Sequence, residues 1–198
     1  MEPFSIAGPA GVLEALLRTP VVPGSNLAIL CHPHPLYGGS LSDAVLDLVG
    51  RTLDEVGVNC LKFNFRGVGA SEGDFDNGRG EAEDLLAVVD WARGQGVKSL
   101  WLGGYSFGAH VVCKALPQVP DAERVLLVAP PTAAMDISEP ATSCTVDVFA
   151  GERDDFVDLD NLGDWHDARI HVIAGADHFF GGSAQHLQET IAQAVSQA

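Results

Sequence analysis

Six short apolar runs, each of strand length, alternate along this chain with longer segments whose apolar residues recur every three or four positions. This alternation is typical of crossover units wound around a mostly parallel sheet. Because helices cover both faces of such a sheet, its strands are apolar throughout rather than at every second residue. The pattern therefore predicts an α/β fold with strands at 27–31, 58–63, 99–102, 125–128, 145–150 and 170–173.

Helices and an edge hairpin are expected around these strands. An apolar stripe from Leu41 to Val56 predicts the first helix, and Ser40 with Asp43 offers its N-cap. The Gly-Pro-Ala-Gly centre of segment 5–17 predicts an antiparallel hairpin at the edge of the sheet. Further helices are expected at 82–94, at 107–116 and from 183 to the C-terminus.

Length and charge limit the function classes. With 198 residues the chain suits one domain, 1–198, with a single core. Its 11 Lys+Arg against 27 Asp+Glu give a net charge of −16, which repels nucleic-acid phosphates and anionic membrane surfaces. The N-terminus lacks a basic region ahead of an apolar stretch, and no apolar run approaches the roughly 20 residues of a membrane span. We therefore expect a cytoplasmic protein that binds neither nucleic acid nor membranes.

Neither the cysteines nor the histidines show the spacing of a metal site. The 4 cysteines occur singly inside apolar segments, which favours buried, reduced thiols. His32 and His34 are two apart and would face one side of an extended strand. Proline lies between them, however, and no carboxylate or cysteine follows nearby. The sequence therefore predicts no metal and no cofactor.

The strongest functional signal is Gly103-Gly104-Tyr105-Ser106-Phe107-Gly108, which directly follows a predicted strand and opens a predicted helix. A serine in Gly-x-Ser-x-Gly at such a junction occupies a strained turn that presents its hydroxyl above the sheet. The amides and positive dipole end of the following helix would face any oxyanion that forms there. This placement predicts that Ser106 is a nucleophile.

A serine nucleophile needs a histidine base and a carboxylate that orients it, and two loops supply both. The loop after strand 145–150 carries Asp154 and Asp155, and the loop after strand 170–173 carries Asp177 and His178. Both loops leave the carboxyl ends of parallel strands, where the ligand sites of open α/β sheets lie. The order Ser, Asp, His predicts His178 as the base and leaves these carboxylates as candidate acids.

Four segments together resemble the α/β-hydrolase superfamily and, within it, the small lidless dienelactone-hydrolase-like esterases. They are the serine turn and the stretches 31–39, 64–73 and 176–180. The resemblance implies an α/β-hydrolase fold with a mostly parallel central sheet and no lid domain. It also implies Asp154 as the acid, because Val157 completes the family pattern Gly-x-x-Asp-x-x-Val, with Asp155 as the runner-up.

In this fold the oxyanion hole consists of two backbone amides. Phe107, directly after the nucleophile, would supply one, and the loop after strand 27–31 the other. Pro33 and Pro35 have no N–H, so His34 or Leu36 must donate, and we expect His34. The predicted walls of the substrate pocket are Leu36, Tyr37 and Phe179.

Three further expectations concern the surroundings of this site. Only residues 130–144 separate two strands where a lid would be inserted, so the pocket should be open. The apolar segment 130–135 is a candidate interface, which gives the hypothesis of a homodimer. Arg66 would pair either with an acidic group of the substrate or with a carboxylate of the protein itself.

The sequence thus predicts a serine hydrolase that cleaves small carboxylic esters through an acyl-enzyme, with Ser106, Asp154 and His178 as its catalytic residues. A thioesterase or acyltransferase would use the same three residues, and the choice of acceptor that distinguishes these activities is not visible in the sequence. A binding protein that keeps the hydrolase fold without catalysis is a third interpretation.

Overall fold

Eight strands form one sheet in the computed structural model, which describes residues 3–196. In chain order they are β1 (Phe4–Gly8), β2 (Gly11–Leu17), β3 (Asn26–Cys31), β4 (Asn59–Phe63), β5 (Ser99–Tyr105), β6 (Ala122–Val128), β7 (Thr145–Gly151) and β8 (Ala168–Ile173). Their spatial order is β1-β2-β4-β3-β5-β6-β7-β8. Strands β3 to β8 run parallel, whereas β1 and β2 form an antiparallel hairpin at one edge. The predicted fold class is confirmed.

Within the described residues 3–196, five α-helices accompany the sheet: α1 (Ala44–Glu55), α2 (Arg79–Gly94), α3 (Phe107–Ala115), α4 (Leu159–Gly163) and α5 (Ala184–Ser196). Helix α1 packs with α5, and α2 packs with α3, so two helix pairs cover the two faces of the sheet. Strand β5 lies at the centre and is buried along its whole length. Its last residue is Tyr105, so the strand delivers Ser106 directly to the carboxyl edge of the sheet.

Helix α1 begins later than the apolar stripe predicts. Asp43, and not Ser40, is its N-cap, since Asp43 Oδ1 accepts hydrogen bonds from the amides of Val45 and Leu46 at 2.9 and 3.0 Å. The amide of Leu41 instead donates to the side chain of Asn64 at 2.8 Å. Leu41 is buried, but it lies in the loop before α1 and not in the helix itself.

A buried ion pair anchors the loop between β4 and α2. Arg66 donates through its guanidinium and its backbone amide to Asp84, whose side chain is completely buried. Hydrogen bonding to Asp84 is the main cause that raises the pKa of Arg66. Of the two expectations for Arg66, the structure shows the internal ion pair.

Candidate active site

Ser106 stands between the end of β5 and the first residue of α3. Its φ of 54° and ψ of −120° lie where an L-residue is strained, and its amide donates to the carbonyl of Val128 at 2.9 Å. A Cβ at Gly104 would overlap the backbone of Gly108, and a Cβ at Gly108 would overlap the carbonyl of Cys31. Both glycines are therefore required before strand and helix can approach closely enough to form this turn.

The structure brings the three predicted side chains together from three different loops. His178 Nε2 lies 2.9 Å from Ser106 Oγ. The other ring nitrogen, Nδ1, lies 2.8 and 2.9 Å from the two carboxylate oxygens of Asp154. Because Nδ1 faces a carboxylate it carries the proton, and Nε2 therefore presents its lone pair to the serine hydroxyl. In this arrangement the imidazole is positioned to accept the hydroxyl proton.

Asp154 is fixed by its own turn. Its Oδ1 accepts a hydrogen bond from the amide of Phe156 at 2.9 Å, and its carbonyl accepts one from Val157 at 3.2 Å. The two other candidate acids lie elsewhere. Asp155 is exposed, and Asp177 uses Oδ1 to accept from backbone amides within its own loop. Of the three carboxylates, Asp154 alone is hydrogen bonded to His178.

Tyr105 is a contributor that the sequence analysis missed. Its hydroxyl donates to the backbone carbonyl of His178 at 3.1 Å and so ties the histidine loop to the end of β5. Burial, together with the charges of Asp43, Asp154 and Asp177, raises the pKa of this hydroxyl and keeps it protonated. The variable position of the Gly-x-Ser-x-Gly pattern gave no signal for this role.

Two backbone amides are candidates for the oxyanion hole that the sequence predicts. Phe107 is the first residue of α3, so its N–H has no acceptor inside the helix. In the loop after β3, the amide of Leu36 already donates to His34 Nδ1 at 3.2 Å. Within residues 3–196, the amide of His34 donates no backbone hydrogen bond. His34, rather than Leu36, therefore remains the available donor from this loop.

An open cavity of about 690 Å³ lies above Ser106. Among the expected wall residues, Tyr37 and Phe179 line it. Leu36 does not, and that prediction is wrong. Residues that the sequence analysis missed also line the cavity: Asp43, Tyr105, Met135 and Phe156.

The short connection between β6 and β7 forms part of the cavity wall. Pro131, Ala134 and Met135 line the cavity, and the amide of Ala133 donates to the carbonyl of Phe156 at 3.0 Å. The apolar segment that suggested a subunit interface is thus used, at least in part, inside the molecule. The homodimer stays a prediction.

His32 is buried, and both of its ring nitrogens are engaged. Nδ1 lies 2.7 Å from the carbonyl of Pro33, and Nε2 accepts from the amide of Phe65 at 3.1 Å. Burial is the main cause that lowers the pKa of His32 to about 4. Over residues 3–196 no group of three or more His, Cys, Asp or Glu side chains could hold a metal ion. In the same range no helix is long and apolar enough to cross a membrane.

The family model described as X-Pro dipeptidyl-peptidase (S15 family) matches residues 18–156. The uncharacterized protein RP471 of Rickettsia prowazekii is 32% identical in an alignment 201 residues long, gaps included. The alignment covers 93% of this chain and 84% of that protein.

Two solved structures are similar over almost their whole length. XC6422 from Xanthomonas campestris, described as an α/β serine hydrolase without lid, is 32% identical with a TM-score of 0.91, covering 99% of this chain and 94% of that one. An α-β serine hydrolase homologue from Coxiella burnetii is 34% identical with a TM-score of 0.86, covering 97% and 96%. The chain therefore belongs to the X-Pro dipeptidyl-peptidase (S15) family, among the serine hydrolases of the α/β-hydrolase superfamily.

Proposed function

We propose that this serine hydrolase is an esterase that cleaves small carboxylic esters by two-step acyl transfer. The observation that carries the proposal is the unbroken hydrogen-bonded series Asp154, His178, Ser106, which ends at an open cavity. A serine hydroxyl is a weak nucleophile near neutral pH, and this series supplies both the base and the group that orients it.

In the first step, His178 Nε2 takes the proton of Ser106 as Oγ attacks the ester carbonyl carbon. Negative charge develops on the carbonyl oxygen, where the amides of Phe107 and His34 donate to it. The tetrahedral intermediate collapses, and the alcohol leaves with the proton held by His178. The acyl group remains on Ser106.

In the second step, water takes the place of the alcohol. His178 accepts a proton from the water as its oxygen attacks the acyl carbon, and the carboxylic acid leaves as the proton returns to Ser106 Oγ. Asp154 stays ionised throughout and holds the imidazole with Nδ1 protonated. The open cavity lets water reach the acyl-enzyme without movement of a lid.

The test compares hydrolysis of 4-nitrophenyl acetate and butyrate by the wild type and by Ser106→Ala. We expect a loss in kcat of at least about 10³-fold, because the nucleophile is removed while the fold remains. Ser138→Ala, which changes an exposed serine of the β6–β7 connection, should retain full activity. A Ser106→Ala enzyme within tenfold of the wild type would contradict the proposal.

Counter-substrates separate the neighbouring activities. Gly-Pro-4-nitroanilide tests the peptidase activity named by the family description, and S-phenyl thioacetate tests thioester cleavage. We expect the carboxylic ester to give the highest kcat/KM. Wild-type protein that is folded but hydrolyses none of the three would favour a binding role for the same cavity.

A further inference from the structure

The lining of the cavity contains an acidic side chain but no basic Lys or Arg side chain. Among its fifteen lining residues, Asp43 is the one carboxylate, and none of these residues is Lys or Arg. The remaining polar groups are hydroxyls, backbone amides and the imidazoles of His34 and His178. Any charged group on a substrate would therefore meet an anionic side chain and no cationic one.

Asp43 lines this cavity, and within residues 3–196 one of its carboxylate oxygens accepts no hydrogen bond. Its Oδ1 caps α1, whereas within residues 3–196 its Oδ2 accepts no hydrogen bond and the carboxylate enters no ion pair. The positive end of α1 offsets about half of one elementary charge. A net negative charge remains, and the residue is half-buried, so bulk water screens it only in part.

Two other groups that line the cavity, His34 and Tyr105, do not balance that charge. Burial lowers the pKa of His34, against the opposing charge of Glu81, so this imidazole is neutral at pH 7. The hydroxyl of Tyr105, which also lines the cavity, feels the carboxylates of Asp43, Asp154 and Asp177 together. The negative charge of Asp43 is therefore not offset by either group.

The walls suit a cation in a second way. Three exposed aromatic residues, Tyr37, Phe156 and Phe179, line the same cavity. The face of an aromatic ring attracts a cation, and aromatic-lined sites are the common means of binding quaternary ammonium groups.

We propose, resting on the esterase function above, that the cavity selects esters carrying a cationic group over anionic esters of similar size, and that Asp43 is the residue that determines this selection. One half-buried charge that acts on a ligand in the same cavity corresponds to about a tenfold preference in kcat/KM.

The test uses three acetate esters that differ in charge: acetylcholine, its uncharged isostere 3,3-dimethylbutyl acetate, and 2-sulfoethyl acetate. Values of kcat/KM are measured at low ionic strength for the wild type, Asp43→Asn and Asp158→Asn. Asparagine is also a good N-cap, so α1 should stay intact. Asp158 caps α4 in the same way, is exposed and does not line the cavity, which makes Asp158→Asn the matched control.

We expect the wild type to prefer acetylcholine over the neutral isostere by about tenfold and the isostere over the sulfonate by a similar factor. In Asp43→Asn both ratios should fall by about fivefold or more, because the positive end of α1 is then left uncompensated. In Asp158→Asn both ratios should stay as in the wild type.

Ratios near one in the wild type, or ratios unchanged in Asp43→Asn, would overturn the inference while leaving the esterase function standing. An equal fall in Asp158→Asn would overturn it too, because the selection would then come from the overall charge of the protein. If the wild type hydrolyses neither the neutral ester nor 4-nitrophenyl acetate, the esterase function fails and takes this inference with it. Hydrolysis of 4-nitrophenyl acetate alone would overturn this inference and leave the esterase function standing.

Discussion

Two aspartate–histidine pairs connect β7 to β8, or the loops that follow them, and each has the same spacing of 24 residues along the chain. Asp147 meets His171 at 2.9 Å, and Asp154 meets His178 at 2.8 Å. Both carboxylates have completely buried side chains. As isolated pairs they are nearly equivalent.

Their surroundings make them different. Asp147 lies inside β7 and also receives Arg169 at 2.7 Å and Arg124 at 3.6 Å. Burial alone would raise the pKa of Asp147, but the hydrogen bonds from His171 and Arg169 and the charges of both arginines lower it. The ring of His171 stacks on Phe149 with centroids 4.9 Å apart. This pair is a structural anchor between two strands.

The second pair lies three or more residues beyond the ends of the same strands. There the carboxylate has one partner side chain, and the second ring nitrogen of His178 faces Ser106 at 2.9 Å. Contact between a carboxylate and a histidine therefore does not show whether the histidine is a catalytic base or a structural anchor. Position relative to the strand ends, and what the other nitrogen meets, decide between them.

The largest effect is expected when the outer pair is broken. Asp154→Asn should lower kcat by about 10⁴-fold, because an amide no longer holds Nδ1 of His178 in the protonated form. Ester hydrolysis with saturating substrate measures it. Asp155→Asn, which changes the exposed neighbour, should leave kcat unchanged. A larger loss in Asp155→Asn than in Asp154→Asn would show that the acid is Asp155 and not Asp154.

Breaking the inner pair should affect stability instead. Asp147→Ala leaves Arg124 buried without its counter-charge, and we expect a loss of about 3–5 kcal/mol in the free energy of unfolding. Urea unfolding measures this loss, and kcat/KM of the folded fraction should stay within about threefold of the wild type. Asp90→Ala, at an exposed ion pair, should cost under about 1 kcal/mol. A large fall in kcat/KM in folded Asp147→Ala would contradict the division between the two pairs.

A smaller effect, on stability, is expected for a third histidine. His32 is buried, and its ring nitrogens meet a backbone carbonyl and a backbone amide rather than a carboxylate. His32 has a pKa of about 4 in the folded protein, below the ordinary value of 6.5. As pH falls below 6.5 the unfolded chain takes up a proton that the folded protein refuses, so stability is lost between pH 6.5 and 4. The loss should reach about 3 kcal/mol, measured by urea unfolding across this range.

Two controls accompany that measurement. His32→Gln, if it folds, should show a shallower dependence of stability on pH over the same interval. NMR titration of the wild-type imidazole gives an answer that needs no variant. Protonation of His32 near pH 6.5 in the folded protein would contradict the prediction.

The sequence predicted those parts of the site that depend on where strands end. Ser106 and His178 follow apolar runs, and parallel strands bring such loops to one edge, so their convergence followed from topology. Asp154 could not be separated from its neighbours by residue type alone. Its selection over Asp155 depends on a turn in which one carboxylate accepts from its own backbone and faces inward.

Features that depend on the direction of one side chain were missed. Leu36 and Tyr37 are adjacent in one 3-10 turn and both are exposed, yet Tyr37 lines the cavity and Leu36 does not. Asp43 was expected near the start of α1. Its place in the cavity depends on where α1 begins relative to β3. The apolar periodicity of the sequence locates that beginning only to within one helical turn.

The central claim is that Ser106 is a nucleophile activated by His178 and Asp154. Intact mass spectrometry after incubation with a small fluorophosphonate, followed by peptide mapping, tests it most directly. The account predicts one adduct, on Ser106, which forms at least about 10²-fold more slowly in Asp154→Asn and at the wild-type rate in Asp147→Asn. Folded wild-type protein that stays unmodified, or that carries the adduct on another residue, would contradict it.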